Sequence, residues 1–363
     1  MGWTFQNPVQ VTFGDDALAR LPAVLGARKA VLVAFPEAAA LGYVERVTRL
    51  LGAALVGTID EIEANPDVAQ LSRLHDRFWR DFGHCDAIVA MGGGSALDTA
   101  KVLAVAPAAG GFAEMTRLLA AGAEFAPGRV KALIAIPTTA GTGSKVTPWA
   151  TVWDRALGRK YSLHLRETWP EAAIVDPRLS ASSPRALTLH SGLDALSHAL
   201  EAIWNVNANP VSDLLAVSAA RRMRATLPRL IDNPDDAGLR TQAALAALEA
   251  GLAFSNTRTA LAHSISYEMT LRHGLPHGIA CSFTLPMVLA RAIGRRSDRD
   301  EALARVFDVP LARAPDDLAK WLGGLQISTE FESYGVATEE SRGLVESALA
   351  GPRGRNFIGA TPG

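Results

Sequence analysis

Apolar residues fall in short unbroken runs along the first half of the chain and at intervals of three and four along the second. The runs VQVTF (9–13), KAVLVAF (29–35), AALVGTI (53–59), DAIVAM (86–91), KALIAIP (131–137) and AAIVD (172–176) are rich in aliphatic and β-branched residues. Turn formers bound them, the pattern of strands buried on both faces. ALARLPAVL, YVERVTRLLGA and VAQLSRLHDRFWRDF lie between them and carry helical spacing. This order predicts a parallel sheet covered by helices, with ligands bound at the carboxyl ends of the strands. VTPWATVWD and RKYSLH read as a hairpin around Arg155 to Gly158, and ALDTAKVLAVA (96–106) as one helix. Beyond residue 180 the periodicity is helical, with Asn209-Pro210 and Asn233-Pro234 each fitting an N-cap followed by proline at the first helical position. Segments 211–230 and 238–253 read as core. Proline disfavours helix at the residue before it, so Asp176-Pro177 marks a boundary. The expected fold is therefore an α/β domain over 1–178 followed by an all-α domain over 179–363.

Two stretches carry chemistry. Gly92, Gly93, Gly94 and Ser95 follow DAIVAM directly and precede a helix, where glycines admit a close phosphate and free N–H groups attract it. The alternative is a plain turn, since the stretch fits neither common phosphate-loop pattern. Thr138, Thr139, Thr142 and Ser144 follow the next strand, either lining a nucleotide or forming a flexible turn. The second stretch holds Asp194 and His198, one helical turn apart on one face, then His263 and His277. Three imidazoles and a carboxylate suit Zn²⁺ or Fe²⁺. A helix-face ion pair is the competing reading of Asp194 and His198. His190 is explained by capping, and His75, His84 and His164 read as surface or loop.

Composition narrows the function classes. With 48% apolar residues, 20% charged residues and a formal net charge of −1, the chain lacks the basic excess of a broad nucleic-acid surface. Its two cysteines, Cys85 and Cys281, are too isolated for a disulfide framework or a thiolate zinc site, and suit a reducing cytoplasm. No apolar run has the roughly 18 residues of a membrane span, and the start lacks signal-peptide character, so a soluble cytosolic protein is expected. In the C-terminal GPRGRNFIGATPG, Arg353 and Arg355 either serve a site or keep a tail solvated, the second being the more common case.

The motifs GGGSALDTAK (92–101), IPTTAGTGSKVTPWA (136–150) and SGLDALSHALEA (191–202), with the His263/His277 pair, together resemble the iron-containing (group III) alcohol dehydrogenases. The resemblance covers nearly the whole chain. It implies a dehydroquinate synthase-like fold, an NAD(P) cofactor and one divalent metal, Fe²⁺ or Zn²⁺, on Asp194, His198, His263 and His277. Gly92, Gly93, Gly94 and Ser95 then correspond to the pyrophosphate loop and Asp98 to the position beside the nicotinamide. Asn65, Thr138, Thr139, Thr142, Thr147 and Lys160 correspond to positions bordering the dinucleotide. The family also suggests a homodimer or larger, although the sequence carries no interface signal.

Three departures from the family pattern matter. A second-shell histidine common four residues after the third ligand is Tyr267 here, which leaves His273 or water as proton carrier. The usual GTGSE is GTGSK, placing Lys145 where a carboxylate is common. Phe35 aligns with the aspartate that favours NADH, so NADPH is not excluded. The segment HSISYEMTLRHGLPHGIACSFTLP also resembles the subgroup that reduces phosphonoacetaldehyde, an anionic substrate for which Lys145, Arg258 and Arg272 are candidate cations. Lactaldehyde, a semialdehyde and maleylacetate are alternative substrates. A lyase or cyclase of the dehydroquinate synthase type is the rival activity.

Overall fold

The computed structural model describes residues 2–123 and 125–360, so the last three residues of the C-terminal stretch lie outside it. The chain divides into two compact units. One comprises Pro8–Thr139 and Ser144–Ser183, the other Met1–Asn7, Ala140–Gly143 and Pro184–Gly363.

The first unit is built on a parallel sheet. Its spatial order is Gln10–Phe13, Ala172–Val175, Ala132–Pro137, Ala87–Gly92, Ala30–Ala34 and Leu55–Ile59. Alternate residues face opposite layers. Val31, Val33, Ile88, Ala90, Leu133 and Ala135 pack with Phe78, Leu97 and Leu103 on one side. Leu32, Val89, Met91, Ile134 and Ile136 pack with Leu18, Leu21 and Val47 on the other. Burial on both faces is why these strands read as unbroken apolar runs. From Ala30–Ala34 the chain passes outward to Leu55–Ile59, then returns to Ala87–Gly92 on the opposite side and continues to Ala132–Pro137. That reversal opens a crevice between the carboxyl ends of Ala30–Ala34 and Ala87–Gly92, where sheets of this kind bind ligands.

The hairpin forms as expected, with Trp149–Asp154 antiparallel to Arg159–His164. A second antiparallel pair, Val105–Pro107 with Pro127–Val130, corrects the reading of residues 96–106 as one helix. That helix stops at Ala104, because Val105 is extended and a proline follows two residues later. His75 is likewise not a surface residue; it is buried in the Val68–Asp81 helix with Nε2 3.0 Å from the carbonyl of Val105.

In the second unit Arg185–Ile203, Pro210–Asp232 and Ala237–Thr257 pack on one another, followed by Leu261–His273 and shorter helices. From Leu193 to Ile203 nearly every residue of the first of these is buried, as expected of a helix enclosed on all sides. Asn209 caps as predicted, its side chain accepting from Val211 N and Ser212 N. Asn233 does not; it ends the preceding helix, and the next begins after Asp236, which accepts from Leu239 N at 2.9 Å. No helix of the described residues is long and apolar enough to cross a membrane.

Candidate active site

The glycine stretch sits at the carboxyl end of Ala87–Gly92 and opens the Gly94–Ala104 helix. Gly92 has φ +150, and a Cβ there would lie 2.6 Å from Ala96 Cβ and 3.3 Å from the Phe35 ring, so only glycine fits. Phe35 therefore borders this turn. Asn65 N donates to Ser95 Oγ at 3.1 Å, and Thr138 N donates to the Gly92 carbonyl at 3.0 Å. Thr139 Cγ2 is 3.4 Å from a notional Cβ on Gly93. Gly92, Gly93, Gly94, Ser95, Asn65, Thr138 and Thr139 thus gather at one helix N-terminus, whose free N–H groups and positive dipole end suit a phosphate.

Behind this turn Asp98 accepts from Ser144 Oγ (2.7 Å) and Thr151 N (2.9 Å). Lys101, one turn further, is fully buried and donates to Ser144 O, Ser144 Oγ and Trp149 O at 2.6–2.8 Å. Burial pushes its pKa down to about 7 against the pull of Asp98. Lys101 anchors the 144–151 segment and, through Ser144, the carboxylate of Asp98. Lys101→Met would leave buried acceptors unpaired at about 1–3 kcal/mol each. We expect a thermal midpoint several degrees lower than wild type; an unshifted melt in differential scanning calorimetry would contradict this anchoring.

Other expected cofactor residues lie on further elements. Lys160 places Nζ 5.0 Å over the Trp153 ring on the hairpin, and Thr147 is buried just after the Ser144–Val146 turn. Thr142 belongs to the helical unit, where a Cβ on Gly143 would strike Phe254 at 2.1 Å.

In that unit three imidazoles converge on one carboxylate oxygen. Asp194 Oδ1 lies 3.7 Å from His198 Nε2, 3.4 Å from His263 Nε2 and 3.7 Å from His277 Nε2. Asp194 and His198 come from Arg185–Ile203, His263 from Leu261–His273, and His277 from the turn of helix His277–Ala280. Gly278 permits the approach of that turn, since a Cβ there would fall 1.8 Å from the His190 carbonyl. His190 lies within the helix and does not cap it. His198 stacks on Phe254 (4.1 Å between centroids) and on His263 (4.5 Å). Burial opposes charge on Asp194, yet His198, His263 and His277 hold its carboxyl well below the usual carboxylate range.

Glu201, one turn after His198, is fully buried and accepts from Ala260 N, Ala262 N and His263 N at 2.8, 2.6 and 3.2 Å. It also lies 2.7 Å from His263 Nδ1, which donates to it and leaves Nε2 facing Asp194. His263 Nε2 is buried without a hydrogen bond, the state of a ligand atom waiting for a cation. The donor set accordingly fits a borderline divalent metal. Cys281 adds a third kind of donor atom; its Sγ is 3.6 Å from Asp194 Oδ1, and the ligand atoms of Asp194, His263, His277 and Cys281 lie within 4.8 Å of one another. Burial, reinforced by Asp194, pushes this thiol well up, so it stands as a protonated donor to the carboxylate.

The remaining expectations need correction. His273 faces Glu340 (3.7 Å), at the far end of its helix from His263. Tyr267 is pushed up to about 12, chiefly by burial, so it stays protonated near neutrality. Arg272 is mostly exposed and paired with Glu268 at 2.7 Å. Arg258 is exposed and lines a cleft with Asn207, Asp213 and Arg296, beyond the end of the Arg185–Ile203 helix. Lys145 is fully buried in its turn. Arg353, by contrast, is no tail charge; its guanidinium lies 4.8 Å over the Tyr267 ring.

A glycine cradle on a doubly covered parallel sheet and a buried Asp–His cluster in a helical unit define a class of enzymes that join a nucleotide cofactor to a metal. The family model "Iron-containing alcohol dehydrogenase" matches residues 8–177, and "Fe-containing alcohol dehydrogenase family, C-terminal" matches 188–361. The NAD-dependent methanol dehydrogenase of Bacillus methanolicus is 35% identical over 90% of this chain and 87% of its own length. A phosphonoacetaldehyde reductase of Streptomyces viridochromogenes is 40% identical over 56% of this chain, and the match spans about half (52%) of that protein. The structure of sulfoacetaldehyde reductase from Bifidobacterium kashiwanohense in complex with NAD⁺ superimposes with a TM-score of 0.89 at 28% identity, covering 99% of this chain and 95% of that one. The chain belongs to the iron-containing alcohol dehydrogenase family. It is an NAD-dependent alcohol dehydrogenase of that type, and the family resemblance of its motifs and the expected fold class both hold.

Proposed function

We propose that the chain reduces a small aldehyde carrying an anionic group, phosphonoacetaldehyde or a close analogue, with Asp194, His198, His263 and His277 holding the metal. The observation that carries the metal assignment is the convergence of three Nε2 atoms on Asp194 Oδ1, with Glu201 fixing the tautomer of His263. A bound divalent cation supplies Lewis acidity toward a carbonyl oxygen, and reduced nicotinamide supplies the hydride. The Gly92–Ser95 turn binds the pyrophosphate, with Asn65, Thr138 and Thr139 bordering it. Asp98 is held in place by Ser144 and Thr151 for the nicotinamide, and Lys160 serves the ribose or phosphate. Solvent is the proton source for the product hydroxyl in this reading. The glycine-cradle unit carries the dinucleotide and the helical unit the metal.

The anionic substrate rests on the names of two relatives, a phosphonoacetaldehyde reductase and a sulfoacetaldehyde reductase. The test is a panel of phosphonoacetaldehyde, succinic semialdehyde, lactaldehyde and maleylacetate with NADH and NADPH, on protein loaded separately with Fe²⁺ and Zn²⁺. Stoichiometric loss of reduced-nicotinamide absorbance, fastest with phosphonoacetaldehyde, is expected. Turnover without net change in nicotinamide would instead indicate a lyase or cyclase.

Phe35 decides the cofactor. It borders Gly92 with no carboxylate at its position, so the wild type is expected to use NADPH as well as NADH. Phe35→Asp should lower kcat/KM for NADPH by roughly 10- to 100-fold while sparing NADH, through repulsion of the 2′-phosphate. Equal loss with both cofactors would show that Phe35 does not face the adenosine ribose.

A further inference from the structure

Arg353, one of two cations in the C-terminal stretch, has the surroundings of a built position. Gly354 lets the chain turn directly onto the end of the Thr338–Ala350 helix, where a Cβ would fall 2.1 Å from the Ala348 carbonyl. Asn356 Nδ2 donates to the Thr259 carbonyl (2.9 Å), and Arg353 Nε donates to Thr259 Oγ1 (3.1 Å). Ser264 Oγ ties the same helix end to Leu261–His273 through the Ala348 carbonyl (3.0 Å). The guanidinium, half-buried, then rests on the Tyr267 ring at 4.8 Å.

That guanidinium lacks an anion. Among the described residues no carboxylate lies in ion-pair range of Arg353, whereas Arg224, Arg272 and Arg299 each have one. Its one side-chain hydrogen bond uses Nε, which leaves both Nη groups available. Tyr267 stands one turn after His263 on the same helix face, so Arg353, resting on its ring, lies one helical turn from the imidazole cluster.

Resting on the aldehyde-reductase reading above, we infer that Arg353 is a specificity-determining residue, its Nη groups receiving the tetrahedral oxyanion of the substrate while the metal cluster receives the carbonyl end. Guanidinium suits this task because its planar fork matches phosphonate or sulfonate oxygens in pairs, and stacking on an aromatic ring fixes its plane. Arg258 and Arg272 do not compete, one lining another cleft and the other neutralised by Glu268.

The experiment compares wild type, Arg353→Gln and Arg353→Lys on phosphonoacetaldehyde, sulfoacetaldehyde and succinic semialdehyde against neutral propanal, with thermal midpoints recorded for each. The expected result is that R353Q loses about 100-fold more kcat/KM on the charged aldehydes than on propanal, mainly through KM, and that R353K recovers part of it. The arms separate phosphonate, sulfonate and carboxylate. Equal losses on charged and neutral aldehydes, or no loss on either, would overturn the assignment. Should the wild type reduce none of these aldehydes, the activity reading fails, but calorimetric titration with 2-hydroxyethylphosphonate still decides. Binding that weakens about 100-fold in R353Q supports the oxyanion site, and equal or absent binding in both proteins overturns it.

Discussion

Replacing His263 with alanine is expected to strip the metal and to lower kcat for aldehyde reduction by about four orders of magnitude. Lewis-acid stabilisation of a developing oxyanion contributes several kcal/mol, and each 1.4 kcal/mol is about a tenfold change in rate. The substitution also strands Glu201, a fully buried carboxylate that would lose its imidazole partner and keep only backbone donors. Loss of stability should therefore accompany loss of metal. His277→Ala serves as the contrast, because its side chain is about one-third exposed (32%), whereas His263 is buried against Glu201. It should shed metal and activity with a much smaller change in melting temperature. The measurements are metal content by mass spectrometry, single-turnover rates and calorimetric melts. Wild-type metal content and rate in His263→Ala would remove the metal assignment altogether.

Legibility in the sequence followed how local each feature is. The strands could be read because burial on both faces leaves an unbroken apolar signature, as in Ala30–Ala34 and Ala87–Gly92. The glycine turn could be read because its constraint is local to the backbone, a positive φ beside Ala96. Asp194 and His198 share one helix face, and the same stripe continues to Glu201, so the carboxylate behind His263 was within reach of the spacing argument and was passed over. Contacts made across elements were not readable. Cys281 joins the cluster only because its turn folds against the helix bearing Asp194, and Arg353 reaches Tyr267 only through the turn at Gly354. Charge alone does not show whether a cation is free, since Arg272 is paired with its own helix neighbour Glu268. Asn233-Pro234 failed for another reason. The dipeptide marks a turn between helices as readily as a helix start, and Asp236 three residues later was the better cap.

Glu201→Gln is the second change with a large expected effect, although it alters one atom. The native carboxylate takes four donors, three of them backbone N–H groups and the fourth His263 Nδ1. An amide offers one acceptor oxygen and turns its NH₂ toward at least one of those donors. One or two buried donors then go unpaired at roughly 1–3 kcal/mol each, and the melting temperature should fall by about 5–10 °C. The second consequence is chemical. Burial opposes charge on Glu201, but His263 and the surrounding N–H groups hold its carboxyl below the usual carboxylate range, so it faces Nδ1 as an anion. An anion there fixes the tautomer and strengthens Nε2 as a donor; an amide does neither as well. Metal affinity measured by chelator competition should drop roughly 10- to 100-fold, with Asp194 and all three imidazoles still present. Glu201→Asp, which keeps the charge but shortens the reach, should recover the tautomer better than the stability. If Glu201→Gln melted and bound metal like wild type, the hydrogen-bonded carboxylate behind His263 would have no part in holding the site.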